Sequence, residues 1–239
     1  MTYKRLMGRS KMAPINFYWA RGNTEPFGGN SMVGNVTRLL DKKVFNVREV
    51  NYDAYVQAGY ARPQASFLRW MDANKDPKEP WMGAGFSLGA TLMGDFVGTL
   101  SLSTCKGIGL IADGRRDRRQ YYGPRKPAGW GVAGERYVGR GQYPVWSMSE
   151  PNDPISELPG DNGLRNLAPF VGFPKQPGPM PARAADMEYS WRWFGYYFPG
   201  NRHTNYAVEK VPGMTKSYTT ALADEMNAEG RRLIKAGAV

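Results

Sequence analysis

Residues 83–94 read GAGFSLGATLMG, with Ser87 set between Gly85 and Gly89 at the front of an apolar run of small residues. Two readings of this stretch compete. In one it is a tight glycine-rich turn from a strand into a buried helix. In the other, Ser87 sits on a strained strand-to-helix turn whose flanking glycines let the backbones pack closely and whose hydroxyl serves as a nucleophile. Both readings need a strand before the serine and a helix after it. WMGAGF, from Trp81, supplies a short apolar strand, and Leu88, Leu92, Phe96 and Leu100 then recur every four residues, the spacing of a helix face.

The neighbouring sequence continues the alternation. INFYW, Ile15 to Trp19, is strand-like and stops at the turn-rich ARGNTEPFGGN. SMVGNVTRLL, Ser31 to Leu40, spaces Met32, Val36, Leu39 and Leu40 at helical intervals, and VFNVREVNY, Val44 to Tyr52, alternates apolar and polar residues. A second helix fits Arg62 to Asn74, with Phe67, Leu68 and Met71 on one face. GIGLIAD (Gly107 to Asp113) and YPVWSMS (Tyr143 to Ser149) are further strands, and Tyr218, Leu222, Met226 and Leu233 share one side of a closing helix over Lys216 to Ala236. Alternation of this kind predicts an α/β fold: a central, mostly parallel sheet covered by helices on both faces. It is read as one domain over residues 1–239. The Pro- and Gly-rich stretch 154–202, with the aromatic burst YSWRWFGYYF from Tyr189 to Phe198, is expected to be an insert or lid within that domain.

Composition bounds the partners. A chain of 239 residues, 41% apolar and 13% aromatic, can bury a sizeable core and is not disordered. Its 32 Lys+Arg against 21 Asp+Glu leave a net charge of +11, which attracts nucleic acid, anionic membrane or an anionic wall polymer without choosing among them. The densest basic stretch, GRRDRRQYYGPRKP from Gly114 to Pro127, is either a phosphate-binding and base-stacking surface or a solvated loop. One cysteine, Cys105, excludes an internal disulfide, and one histidine, His203, leaves too few ligands for a zinc site. No metal or cofactor is expected. The N-terminal MTYKRLMGRSKMAP lacks a following apolar stretch of signal-peptide length, so no export signal is expected. From Gly83 to Cys105 the only charge is Asp95; the glycines and that carboxylate favour a buried helix over a transmembrane span.

A serine hydroxyl needs a base within hydrogen-bond reach to act as a nucleophile near neutral pH. His203, in GNRHTNY just before the closing helix, is the one imidazole available. A third group, a carboxylate, must fix the imidazole tautomer. Asp95 falls on the helix and Asp117 among arginines, which leaves Asp113 and Asp153, each following a strand at the carboxyl edge where sites in open α/β sheets collect. Asp153 is preferred; otherwise it merely caps a turn before Pro154. The backbone N–H of Leu88 supplies one oxyanion donor, and the loop ARGNTEPFGG the other, from Asn23 or alternatively Thr24.

Together, WARGNTEPFGGN, VNYDA, GFSLG, NDPIS and HTNY, in this order, resemble the cutinase-like serine esterases of the α/β-hydrolase fold, and within them the lysin B group of phages that infect mycobacteria. The chain departs from the family pattern at Leu88, where a glutamine is usual, at Asn23, usually Ser or Thr, and at YDA in place of Y-P-A. The resemblance implies a lipid esterase that cuts the ester joining mycolic acids to arabinogalactan during lysis. It would reside in the host cytoplasm and then at the anionic cell envelope, with Ser87, His203 and Asp153 as the triad. It also implies that Thr24 and the insert aromatics Trp191, Trp193 and Tyr196 contact substrate, unless the insert aromatics form only a small core. A general cutinase or lipase is the alternative enzyme. A non-catalytic virion or nucleic-acid-binding protein is the alternative of a different class.

Overall fold

Five short apolar runs pair into one sheet: β1 (Ile15–Ala20), β2 (Phe45–Glu49), β3 (Trp81–Phe86), β4 (Cys105–Ile111) and β5 (Val145–Met148). All pairings are parallel, in the order β2-β1-β3-β4-β5. The computed structural model describes residues 14–55, 59–99, 104–175, 178–179, 182 and 184–239. Helices α1 (Met32–Thr37), α2 (Ala61–Asn74), α3 (Leu88–Thr99), α4 (Ala184–Tyr197) and α5 (Tyr218–Lys235) are joined by a 3-10 helix at Gly163–Val171.

Every residue of β3 is buried, as a parallel strand covered on both faces requires. On one face Phe17, Met82, Ala84 and Ile111 pack with Val33 and Val36 of α1 and with Leu222 and Met226 of α5. On the other, Tyr18, Trp81 and Leu110 pack with Phe67 and Met71 of α2 and with Leu92, Met93 and Phe96 of α3. The expected alternation and two-sided cover are present.

Several expected boundaries shift for local reasons. Ser31 caps α1 by accepting from Gly34 N, and the helix stops at Thr37, so Leu39 leaves the apolar face and is exposed. Leu68 likewise lies outside the face shared by Phe67 and Met71. The strand expected over Val44–Tyr52 is shorter, and Val47 is exposed because β2 is an edge strand. The strand expected at Gly107–Asp113 begins at Cys105 and ends at Ile111, which frees Asp113 for a turn. Ser217 accepts from Thr220 N and starts α5 two residues later than expected. Leu100 and the N-terminal stretch read for an export signal, apart from Pro14, lie outside the described residues. Among the described residues no helix is long and apolar enough to cross a membrane.

The chain leaves β1 toward β2 on one side and returns to β3 on the other. That reversal opens a crevice at the carboxyl ends of β1 and β3. It is flanked by the loop Arg21–Ser31 and by Ser87.

Candidate active site

At the end of β3 the backbone turns so tightly that Ser87 takes φ +54°, a conformation an L-residue adopts at a cost of about 1–3 kcal/mol and usually where function uses it. The glycines on either side permit the turn. A Cβ on Gly85 would run into Gly89 and Ala90, and one on Gly89 into the carbonyls of Ala20 and Arg21 at the end of β1. Ser87 N donates to Ile111 O at 2.9 Å, tying the elbow to β4.

His203 lies in a turn closed by Thr204 N donating to Asn201 O at 2.9 Å. Its Nε2 is 2.8 Å from Ser87 Oγ and its Nδ1 is 3.1 Å from Asp153 Oδ1. A carboxylate partner makes Nδ1 the protonated nitrogen, so Nε2 accepts from the serine hydroxyl. The imidazole is clamped between two rings, Phe86 at 5.0 Å and Tyr197 at 5.5 Å, each tilted 26° from its plane.

Asp153, in the turn after β5, is fully buried. Its carboxylate accepts from Ile155 N and Ser156 Oγ, each at 2.9 Å, and from Tyr206 OH at 2.5 Å, as well as from His203. Burial alone would raise its pKa; His203, Tyr206 and Ile155 overcome that and hold it below the ordinary carboxylate value. Asp113 stands differently. Arg136 Nη2 pairs with it at 2.6 Å, while Thr91 Oγ1 and Arg115 N donate to its other oxygen at 3.1 and 2.9 Å. Of the two candidate acids, the structure brings Asp153 to the histidine and ties Asp113 to a buried arginine.

Leu88 N is the first amide of α3, beside Ser87. In the facing loop Thr24 N donates to Ala54 O at 2.8 Å, so of the two expected donor amides that of Thr24 is used within the protein. Glu25 braces the loop, accepting from Gly22 N at 2.5 Å and Met32 N at 2.7 Å. Burial raises its pKa, against the pull of those two amides. Arg21 lies beneath the same loop, donating to Tyr52 O at 2.6 Å with its guanidinium over the Tyr52 ring. Arg21 and Tyr52 occur in the quoted motifs, but nothing in their spacing shows that one locks the other.

Between the loop Arg21–Ser31 and the segments that carry Ile155, Val171 and Tyr197 lies a cleft of about 540 Å³. Its lining combines the polar Asn23, Thr24, Asn30, Asn35 and Thr204 with the apolar Met32, Phe86, Ile155, Phe170, Val171, Phe173 and Tyr197, and it includes Ser87 and His203. Trp191, Trp193 and Tyr196, expected to contact substrate, are not among the residues that line this cleft. Trp193 is buried against Ile155, Leu158 and Ala168, Tyr196 packs on that cluster, and Trp191 is 62% exposed and edge-on to Phe194. Tyr197, one residue on, is the α4 aromatic that reaches the cleft.

The basic stretch is occupied by its own contacts. Arg115 pairs with Asp95, Arg118 with Glu135, Arg119 with Asp117 and Arg125 with Glu157. Arg116 is buried and donates to Ser156 O at 2.7 Å.

No protein-family model matches the chain, and no curated protein matches it. Solved structures do. Lysin B from Mycobacteriophage D29 superposes with a TM-score of 0.53 at 14% identity, over 91% of this chain and 99% of that one. A cutinase-like protein from Cryptococcus sp. gives 0.49 at 16% identity over 80% and 95%, and the catalytic core of acetyl xylan esterase from Trichoderma reesei 0.49 at 16% over 79% and 98%. The likeness to lysin B, with the all-parallel five-stranded sheet, gives the chain a cutinase-like α/β-hydrolase fold.

Proposed function

We propose that the protein is a serine esterase acting on esters of apolar acyl groups, with Ser87 as nucleophile, His203 as base and then acid, and Asp153 as the group that orients it. One observation carries this reading: a serine held at positive φ with its Oγ 2.8 Å from an imidazole whose other nitrogen is 3.1 Å from a buried carboxylate. Ser87 Oγ attacks the ester carbonyl as its proton passes to His203 Nε2. The N–H groups of Leu88 and Asn23 receive the oxyanion. The alcohol leaves with the proton from Nε2, and water then releases the acyl group by the same route in reverse.

The finer reading is the ester joining mycolic acid to arabinogalactan, cut at the end of a phage infection after accumulation in the host cytoplasm. The motif order supports it, as does the likeness to lysin B. Thr24, in the lining of the cleft, contacts the alcohol part of the substrate. Residues 154–202 act as an insert within a single domain, supplying Ile155, Val171 and Tyr197 to the cleft.

Fluorophosphonate labelling of the intact protein tests the catalytic reading. Label appears on the wild type and is lost in Ser87→Ala; an unlabelled wild type, or label that persists in the variant, overturns it. Mycolic acid release from purified mycobacterial cell wall, set against turnover of nitrophenyl esters, separates the envelope esterase from a general cutinase or lipase.

A further inference from the structure

A second, partly open apolar pocket of about 70 Å³ adjoins the cleft. Its walls come from Val132, from Leu164, Leu167 and Ala168 of the 3-10 helix, and from Phe194 of α4. Ile155, Val171 and Tyr197 line both this chamber and the cleft holding Ser87, so the two spaces share a wall. The lining of the cleft also carries amide and hydroxyl groups, from Asn23, Thr24, Asn30, Asn35 and Thr204, and Asn23 Oδ1 is buried without a hydrogen-bond partner. A buried acceptor left unpaired favours a ligand that brings a donor.

The geometry points to a division of the ester across Ser87: the acyl chain enters the chamber between the 3-10 helix and α4, and a hydroxyl-bearing alcohol lies along Asn23, Asn30, Asn35 and Thr204. This rests on the esterase reading and adds to it the orientation of the substrate and the residues that measure the chain. The chamber's chemistry suits the acyl part, since apolar carbon gains by leaving water and a hydroxylated alcohol would lose its hydrogen bonds there. Its size sets a scale. An apolar cavity of about 150 Å³ holds a six-carbon ring, so this one encloses about three carbons. Leu167 and Phe194 in its wall are partly exposed, which gives a longer chain a way out onto the surface beside Phe170 instead of a closed end.

The test is a series of nitrophenyl esters from acetate to decanoate. In the wild type kcat/KM rises about fourfold per added methylene, so about sixteenfold from acetate to butyrate, and then levels off without falling. Ala168→Leu, which fills the chamber, collapses the butyrate-to-acetate ratio toward one. Leu164→Ala, which enlarges it, moves the levelling point to longer chains. If Ala168→Leu turns over no ester, Leu164→Ala decides. A flat series in a wild type that is labelled at Ser87, or an unaltered ratio in an active variant, overturns the chamber assignment while leaving the esterase standing. A wild type that neither labels nor turns over any ester fails at the catalytic reading instead.

Discussion

Asp153 is held by hydrogen-bond donors and Asp113 by a cation, and the two carboxylates are expected to answer mutation differently. Asp153→Asn presents the wrong partner to His203 Nδ1 and lowers kcat by about 10⁴-fold. Asp113→Asn keeps kcat within a few-fold and costs stability, about 3 kcal/mol or less because Arg136 retains Asp95. Steady-state kinetics and urea unfolding of the two variants check this. Glu150 carries a different signature. It is fully buried, with Oε1 3.2 Å from Arg202 and Oε2 unpartnered, and burial pushes its pKa up to about 8. A carboxyl whose folded pKa is raised holds a proton in the native state that the unfolded chain releases, so stability falls as pH climbs from the ordinary carboxylate value toward 8, by about 1.4 kcal/mol per unit. Glu150→Gln removes that slope, and its melting temperature should exceed the wild type's by a margin that widens from pH 5 to pH 8. At this scale Ser87 and His203 are legible in the sequence because the chain has one imidazole and one glycine-flanked serine before an apolar helix. Glu150, Phe86 and Tyr197 are not, since burial and ring stacking arise from contacts distant in sequence.

Among the elements, β3, Ser87 and α3 form the unit most readable from sequence, because glycines at fixed offsets and a four-residue apolar period agree there. Gly89→Ala is expected to cost about 1–3 kcal/mol and to slow fluorophosphonate labelling, since the new methyl meets the carbonyls of Ala20 and Arg21, where β1 leads into the loop facing Ser87. Gly195→Ala in α4, where nothing stands within 4 Å of the new Cβ, is neutral or stabilising by up to about 1 kcal/mol. Urea unfolding and labelling rates of both variants measure the contrast. Helix α4 itself is poorly legible. Its aromatics at 189, 191, 193, 194, 196 and 197 surround the helix, so no period tells which of them meets the core, the solvent or the cleft.

For the molecule as a whole, the +11 charge invites a nucleic-acid reading that the ion pairs oppose. Arginines already held by Glu135 and Asp117 have little left to give a phosphate. Binding to duplex DNA is expected to stay in the nonspecific range, about 10⁻⁴–10⁻⁶ M at physiological salt, and to change little on replacing Arg118 and Arg119 with glutamine, as fluorescence anisotropy would record. The sheet and its two-sided cover are legible because strands and helices differ in period. The interior of the stretch between Asp153 and His203 is not, because its 3-10 helix and its chamber depend on packing that no local pattern encodes.

His203 is the one histidine in the chain, and its ring lies between Phe86, which belongs to β3, and Tyr197, which ends α4. In a proton NMR spectrum its imidazole resonances therefore need no assignment, and ring currents from both faces shift them upfield. Phe86 gives a constant contribution and Tyr197 one that tracks the position of α4. The protein thus carries a built-in spectroscopic gauge of how α4 stands against the end of β3 beside the cleft, readable without a label and during turnover.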